Sequence, residues 1–231
     1  MGHVADNLRR VRAGIEAAAR RAGRDPDSVR LVVVTKTVPL DAIREALGAG
    51  ASILGENRVQ EALDKQKSLA WDGPAPEWHL IGTLQKNKAR HAVGAFALIH
   101  SLDGIELARE IDRQAAKRGV VQKVLIEVNV AGEATKHGVR PEDVLPLAKE
   151  AASMRSIGVS GLMCIPPFTD NPEESRPHFA RLRELLKQIN DAGLPMRELS
   201  MGMTQDYEVA VEEGATLVRV GTAIFGTRHV H

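Results

Sequence analysis

Leu31-Val32-Val33-Val34-Thr35-Lys36 is the stretch that decides the fold. Four consecutive apolar residues, three of them β-branched, read as a strand buried on both faces, which is the habit of parallel sheets. Pro39 follows and opens a helical pattern. Lys36 therefore stands where a parallel strand gives way to its strand-to-helix loop, the place where barrel enzymes put their chemistry. An amine between apolar walls is easier to deprotonate than one in water, and a neutral amine can attack an aldehyde. The plainer alternative is a surface lysine that merely ends a strand.

The rest of the chain repeats that unit. Strand patterns fall at residues 29–35, 52–54, 78–81, 95–99, 123–130, 160–165, 197–200 and 216–220. Helical patterns lie between them, at 40–47, 58–67, 86–93, 104–118, 141–152, 173–190 and 205–213. Eight strands alternating with helices predict an α/β fold, a single (β/α)8 barrel of the TIM type, with an open doubly wound sheet as the alternative. An amphipathic helix precedes the repeat: Val4, Leu8, Val11, Ile15, Ala18 and Ala22 share one face, and arginines fill the other. Residues 1–23 are expected to pack on a single barrel domain spanning 1–231, and no low-complexity linker suggests a second domain.

The last two strand ends carry a second signal. Leu199-Ser200-Met201-Gly202 and Val218-Arg219-Val220-Gly221-Thr222 both pass from a short apolar strand into small residues. A glycine there lets backbone approach a ligand, and the N–H groups that follow favour an anion. The usual phosphate site of such barrels lies after the last two strands. Ser200, Gly221 and Thr222 are the candidate cradle.

Composition narrows the function. Of 231 residues, 43% are hydrophobic and 26% charged, as in ordinary globular proteins. Lys plus Arg number 31 against 30 Asp plus Glu, so no net field draws nucleic acid or an anionic membrane. No run approaches the roughly 20 apolar residues that span a bilayer, and no signal or transit pattern is seen at the start. Cys164 is the single cysteine, in an apolar stretch, and reads as an inert buried thiol. His137 and His178 stand alone, without metal-ligand spacing. A cytoplasmic monomer is the expectation.

The residues resemble a known family, the pyridoxal phosphate homeostasis proteins. VVVTKTVP around Lys36, GENRVQE from Gly55, WHLIGTLQKNK from Trp78, GLMCIPP from Gly161, LSMGMTQDYE from Leu199 and LVRVGTAIFG from Leu217 carry the resemblance in order over nearly the whole chain. It implies a one-domain barrel similar to the N-terminal domain of alanine racemase, holding pyridoxal 5′-phosphate (PLP). By that resemblance Lys36 matches the Schiff-base lysine. Ser200, Gly221 and Thr222 match the phosphate cradle, Met201 counts among the cofactor-binding positions, and Arg219 matches the group facing the pyridine nitrogen. Asn57 and His79 match residues near the ring or its polar edge. Lys136 matches a lysine that hands PLP on, or else is a solvated loop lysine. Apo PLP enzymes would be the recipients. Thr204-Gln205-Asp206 departs from the commoner Ser-Asp-Asp of this family.

Arg219 separates two functions. Leu217, Arg219 and Gly221 share a strand face, because strand side chains alternate. An inward arginine needs a partner, either a carboxylate such as Glu56 or the pyridine nitrogen. PLP is a better electron sink when its ring nitrogen is protonated beside an acid, whereas arginine keeps its own proton. That favours a PLP carrier or regulator without robust catalysis. The alternative is an amino-acid racemase, which needs a second base on the far ring face. The only tyrosine, Tyr207, begins a predicted helix and reads as a packing or capping residue.

Overall fold

The computed structural model describes residues 3–133 and 137–226. Strands β1 (Arg30–Val34), β2 (Ile53–Glu56), β3 (Glu77–Leu80), β4 (Leu98–Leu102), β5 (Gln122–Glu127), β6 (Ile157–Met163), β7 (Glu198–Ser200) and β8 (Leu217–Val220) form a closed barrel in sequence order. Every pairing is parallel, and β1 closes on β8 with Val32 opposite Arg219. Helix α1 (His3–Arg21) precedes the barrel. The crossovers carry α2 (Leu40–Gly48), α3 (Val59–Ser68), α4 (Ala89–Ala92), α5 (Ile105–Arg118), α6 (Val144–Ala152), α7 (Arg176–Asp191) and α8 (Tyr207–Glu212), and the short α9 (Thr222–Phe225) follows β8.

Two cores result from strand alternation. The larger lies between sheet and helices and includes Val33, Leu54, Leu80, Ile99, Val124 and Ile126. The smaller fills the barrel with Val32, Ile53, Leu98, Leu125, Met163 and Leu217, against Ile81. Gly55 keeps room there: a Cβ would stand 2.8 Å from Val32 Cγ1. On α1 the stripe Leu8, Val11, Ile15, Ala18 and Ala19 is buried, and the helix packs on α2, α8 and α9. Among the described residues no helix is long and apolar enough to cross a membrane.

The strand edges differ from the sequence pattern in places. β4 spans Leu98–Leu102 rather than 95–99. The apolar run from Ala95 to Ile99 has no internal break, so periodicity does not mark where the strand starts, and its pairing with β5 shifts register between Ile99 and Leu102. β5 ends at Glu127, because the chain turns away after Val128, which bridges Val139. The helix expected at 86–93 is a 3-10 turn, Lys86–Lys88, followed by the single turn of α4.

Candidate functional site

The strand C-terminal ends surround a cavity of about 400 Å³. Lys36, Asn57, Arg219, Gly221 and Thr222 line it together with Val34, Ile81, Ile165, Pro167 and Phe168. Lys36 lies two residues past β1, and its side chain is exposed toward this space. The segment Met203–Asp206 forms another wall.

The backbone around Lys36 is held in an uncommon shape. Thr37 has φ 59°, the left-handed region that costs a non-glycine residue free energy and persists only where neighbours enforce it. The Thr37 N–H donates to Glu61 Oε1 at 2.6 Å. Lys65 Nζ donates to the Thr35 carbonyl at 2.6 Å, to Glu56 Oε1 at 2.8 Å and to Glu61 Oε1 at 2.7 Å. Thr35 Oγ1 donates to the same Glu56 oxygen at 2.6 Å. One lysine and two carboxylates from β2 and α3 thus clamp the residues on both sides of Lys36. Burial pushes the Glu56 carboxyl upward, against the pull of Lys65 and Thr35. Glu56 faces this clamp outside the barrel and is not the partner of Arg219, because its neighbour Gly55 occupies the inward position.

Arg219 is buried in the barrel at the cavity floor. Its Nη1 donates to Ser200 Oγ at 2.5 Å and its Nη2 to the Cys164 carbonyl at 2.9 Å. Ser200 Oγ lies 2.9 Å from His100 Nδ1, and His100 Nε2 lies 3.0 Å from His79 Nδ1. His79 Nε2 stands 3.6 Å from Glu77 Oε2. Burial depresses both imidazoles, His79 to about 4 and His100 well below its ordinary value, with Arg30 and Arg219 adding repulsion. Cys164 is buried and its thiol is pushed up to about 12, so it is inert as a nucleophile.

The sequence candidates therefore divide. Lys36, Asn57, Arg219, Gly221 and Thr222 meet at one cavity. Ser200 faces inward but lies under Arg219, bonded to it. Met201, one step along, faces the outer core and is fully buried there. His79 opens not on this cavity but on one of about 330 Å³ at the other barrel end, among Arg30, Glu77, Lys123 and Glu198. Lys136 lies outside the described residues. Sequence reasoning missed His100, which joins Ser200 to His79; the signal was the polar pair His100-Ser101 inside an otherwise apolar strand, Leu98-Ile99-His100-Ser101-Leu102. It also missed Phe168, an exposed apolar side chain on the cavity rim.

Loop Met201–Asp206 is folded tightly over β8. Gly202 has φ 90°, and a Cβ there would lie 2.5 Å from Ala210 Cβ. Its carbonyl accepts from the Arg219 N–H at 3.0 Å. Asp206 Oδ1 accepts from the Met203 N–H at 2.7 Å. Tyr207, next along, turns its hydroxyl to α1, where a Cβ on Gly14 would meet it at 2.3 Å. Among the described residues no group of three or more His, Cys, Asp or Glu is placed to hold a metal ion.

A closed eight-stranded parallel barrel with its candidate groups on the last and first strands defines the class. The family model for the alanine racemase N-terminal domain matches residues 7–229. Alanine racemase of Clostridium difficile 630 superposes with a TM-score of 0.74 at 16% identity, over 96% of this chain and 57% of that one, which is a likeness of fold. A pyridoxal phosphate homeostasis protein of Aquifex aeolicus is 47% identical, over 98% of this chain and 99% of that protein. PipY of Synechococcus elongatus, solved with PLP bound, is 38% identical with a TM-score of 0.84, over 96% of this chain and all of that one. The chain belongs to the pyridoxal phosphate homeostasis protein family.

Proposed function

We propose that this protein binds PLP in the cavity at the strand C-terminal ends and serves intracellular PLP homeostasis as a carrier or regulator. The supporting observation is the convergence of an amine, a buried guanidinium and a small-residue helix start on one cavity of about 400 Å³, inside the usual range of roughly 300–1,000 Å³ for small-ligand sites. PLP supplies an aldehyde, a phosphate dianion and an aromatic ring with a basic nitrogen. The donor set fits each part. Lys36 offers the amine. Gly221 and Thr222 offer backbone N–H groups and a hydroxyl for the phosphate. Arg219, held by Ser200 and the Cys164 carbonyl, would donate to the ring nitrogen, and Asn57 offers an amide to the polar edge. The apolar side chains of Val34, Ile81 and Ile165 would cover the ring and exclude water.

The racemase alternative needs a second proton donor and acceptor opposite Lys36. Tyr207 does not supply it, since its hydroxyl is turned to α1. Close relatives carry the homeostasis name rather than that of an enzyme. A cytoplasmic site of action with apo PLP enzymes as recipients completes the proposal.

The test is chemical. Protein mixed with PLP is treated with borohydride, digested and mapped by mass. The pyridoxyl mass should fall on Lys36 and be lost in Lys36→Ala. A label elsewhere, or an unchanged visible band in Lys36→Ala, overturns the assignment.

A further inference from the structure

Among the described residues the barrel interior holds one continuous line of hydrogen-bonded polar side chains, with the buried carboxylate of Glu127 on β5 standing beside it. Arg219, Ser200, His100 and His79 succeed one another at 2.5, 2.9 and 3.0 Å. All four are nearly or fully buried. They come from β8, β7, β4 and β3, so no local sequence motif creates the line. It starts at the cavity floor and ends at Glu77 by the opposite mouth, where Arg30, Lys123 and Glu198 also face it. Buried polar groups are costly unless each is satisfied, so a complete chain of this kind has a defined arrangement of protons.

That arrangement follows from donor counting. Arginine only donates, so Ser200 Oγ must accept from Nη1. The serine hydrogen is then free to reach His100 Nδ1. His100 carries its proton on Nε2 and gives it to His79 Nδ1. His79 in turn carries its proton on Nε2, toward the carboxylate of Glu77. The reverse direction would aim a ring lone pair at that carboxylate and leave the serine hydrogen to find another acceptor. A second proton on His79 sets two N–H groups face to face, and one on His100 sets an N–H against the serine O–H and turns that hydrogen away, in either case with a new cation below Arg219.

We infer that Ser200, His100 and His79 are positioning residues for Arg219: a one-way row of neutral hydrogen-bond donors that keeps Ser200 an acceptor and so holds the guanidinium facing the cavity, where it meets the ring nitrogen of PLP. The inference rests on the cavity being the PLP site. Without the row, Ser200 can turn its hydrogen toward Arg219, and the guanidinium keeps the hydrogen bond to the Cys164 carbonyl and the undirected pull of the Asp206 and Glu127 charges. The depressed affinity of both rings for protons agrees with a row that stays neutral.

The experiment compares PLP with its 1-deaza analogue, in which carbon replaces the ring nitrogen. Wild type should bind PLP at least tenfold more tightly than the analogue. In His100→Leu and in Ser200→Ala that preference should fall below about threefold, while Ser200→Thr, which keeps the hydroxyl, should restore it. A general packing defect would weaken both ligands alike and leave the ratio unchanged; an unchanged ratio in folded His100→Leu overturns the inference. If wild type binds neither ligand, the PLP reading fails instead. The row is then judged by nitrogen-15 NMR of the histidines in the ligand-free protein: both rings should be Nε2–H tautomers and neutral from pH 8 to 5.5, and a Nδ1–H tautomer at His100 refutes it.

Discussion

Replacing Lys65 with methionine tests the clamp behind Lys36. Methionine keeps most of the side-chain volume and removes the charge. Lys65 is only 11% exposed and its partner Glu56 is fully buried, with Oε2 lacking any hydrogen-bond partner. Removing one member of a buried pair strands the other and costs about 3–5 kcal/mol. For a chain of this size each kcal/mol moves Tm by about 2–4 °C, so the loss should be roughly 6–20 °C at pH 8. The loss has a pH signature. Burial raises the Glu56 carboxyl and Lys65 lowers it, so the variant's carboxyl takes up a proton more readily in the folded than in the unfolded chain. Its stranded charge therefore costs most at high pH and is relieved as pH falls. Differential scanning calorimetry from pH 8 to 5 should show the gap to wild type narrowing on acidification. Glu56→Gln added to Lys65→Met should recover much of the loss, because a neutral amide needs no counter-charge. A Tm drop below about 2 °C, the scale of an exposed pair, or a double variant no better than the single, refutes the clamp.

Other perturbations reach other parts of the molecule. Gly221→Val should weaken PLP binding at least tenfold by spectroscopic titration, and pyridoxal without phosphate should bind far more weakly than PLP, since each charge-assisted bond contributes about 1.5–3 kcal/mol; equal affinity for the two ligands would exclude the cradle. Acid should destabilise the fold through His79. Its value is lowered from 6.5 to about 4, so the unfolded chain binds the extra proton between those limits and stability falls as pH descends through them, by on the order of 3 kcal/mol. Urea titrations should show a shallower acid slope in His79→Gln, and identical slopes would remove His79 from the account. Gly202→Ala should lose about 1–3 kcal/mol, from left-handed strain and the 2.5 Å approach to Ala210; a silent substitution in thermal melts would contradict that geometry. With PLP bound, α-proton exchange of L- and D-amino acids in heavy water should be slow by NMR and unaltered by Tyr207→Phe; fast exchange abolished by that change would install a racemase.

The barrel was legible because each strand is a local signal: β-branched runs such as Val32–Val34 can hardly be anything else, and glycines such as Gly119, at φ 65°, end helices where their patterns stop. The meeting of Lys36 and Gly221 at one cavity was legible for the same reason, since both stand just past a strand. The row through the interior was not. His79, His100 and Ser200 lie far apart in sequence, and their meeting depends on which way each strand faces, which a three-residue shift in β4 is enough to hide. Glu56, one of the two partners the sequence leaves open for Arg219, faces away from it, because the neighbouring Gly55 takes the inward position, whose side of the strand has no space for a side chain.

The join between β1 and β8 is the one place where the first and last turns of the barrel meet. Val32 lies opposite Arg219 and Val33 opposite Val220. Lys36 stands on one lip of that join, and Gly221 and Thr222 stand on the other. Helix α1 braces the same side, with Asn7 Nδ2 donating to the Ile224 carbonyl at 2.9 Å. A molecule tethered to one lip and gripped by the other is a rivet across the ring's closing gap. Opening the barrel there would mean tearing the ligand from half its contacts, so loading should slow hydrogen exchange along β1 and β8 above all. Emptying the cavity hands that freedom back to the two strands on which the ring depends.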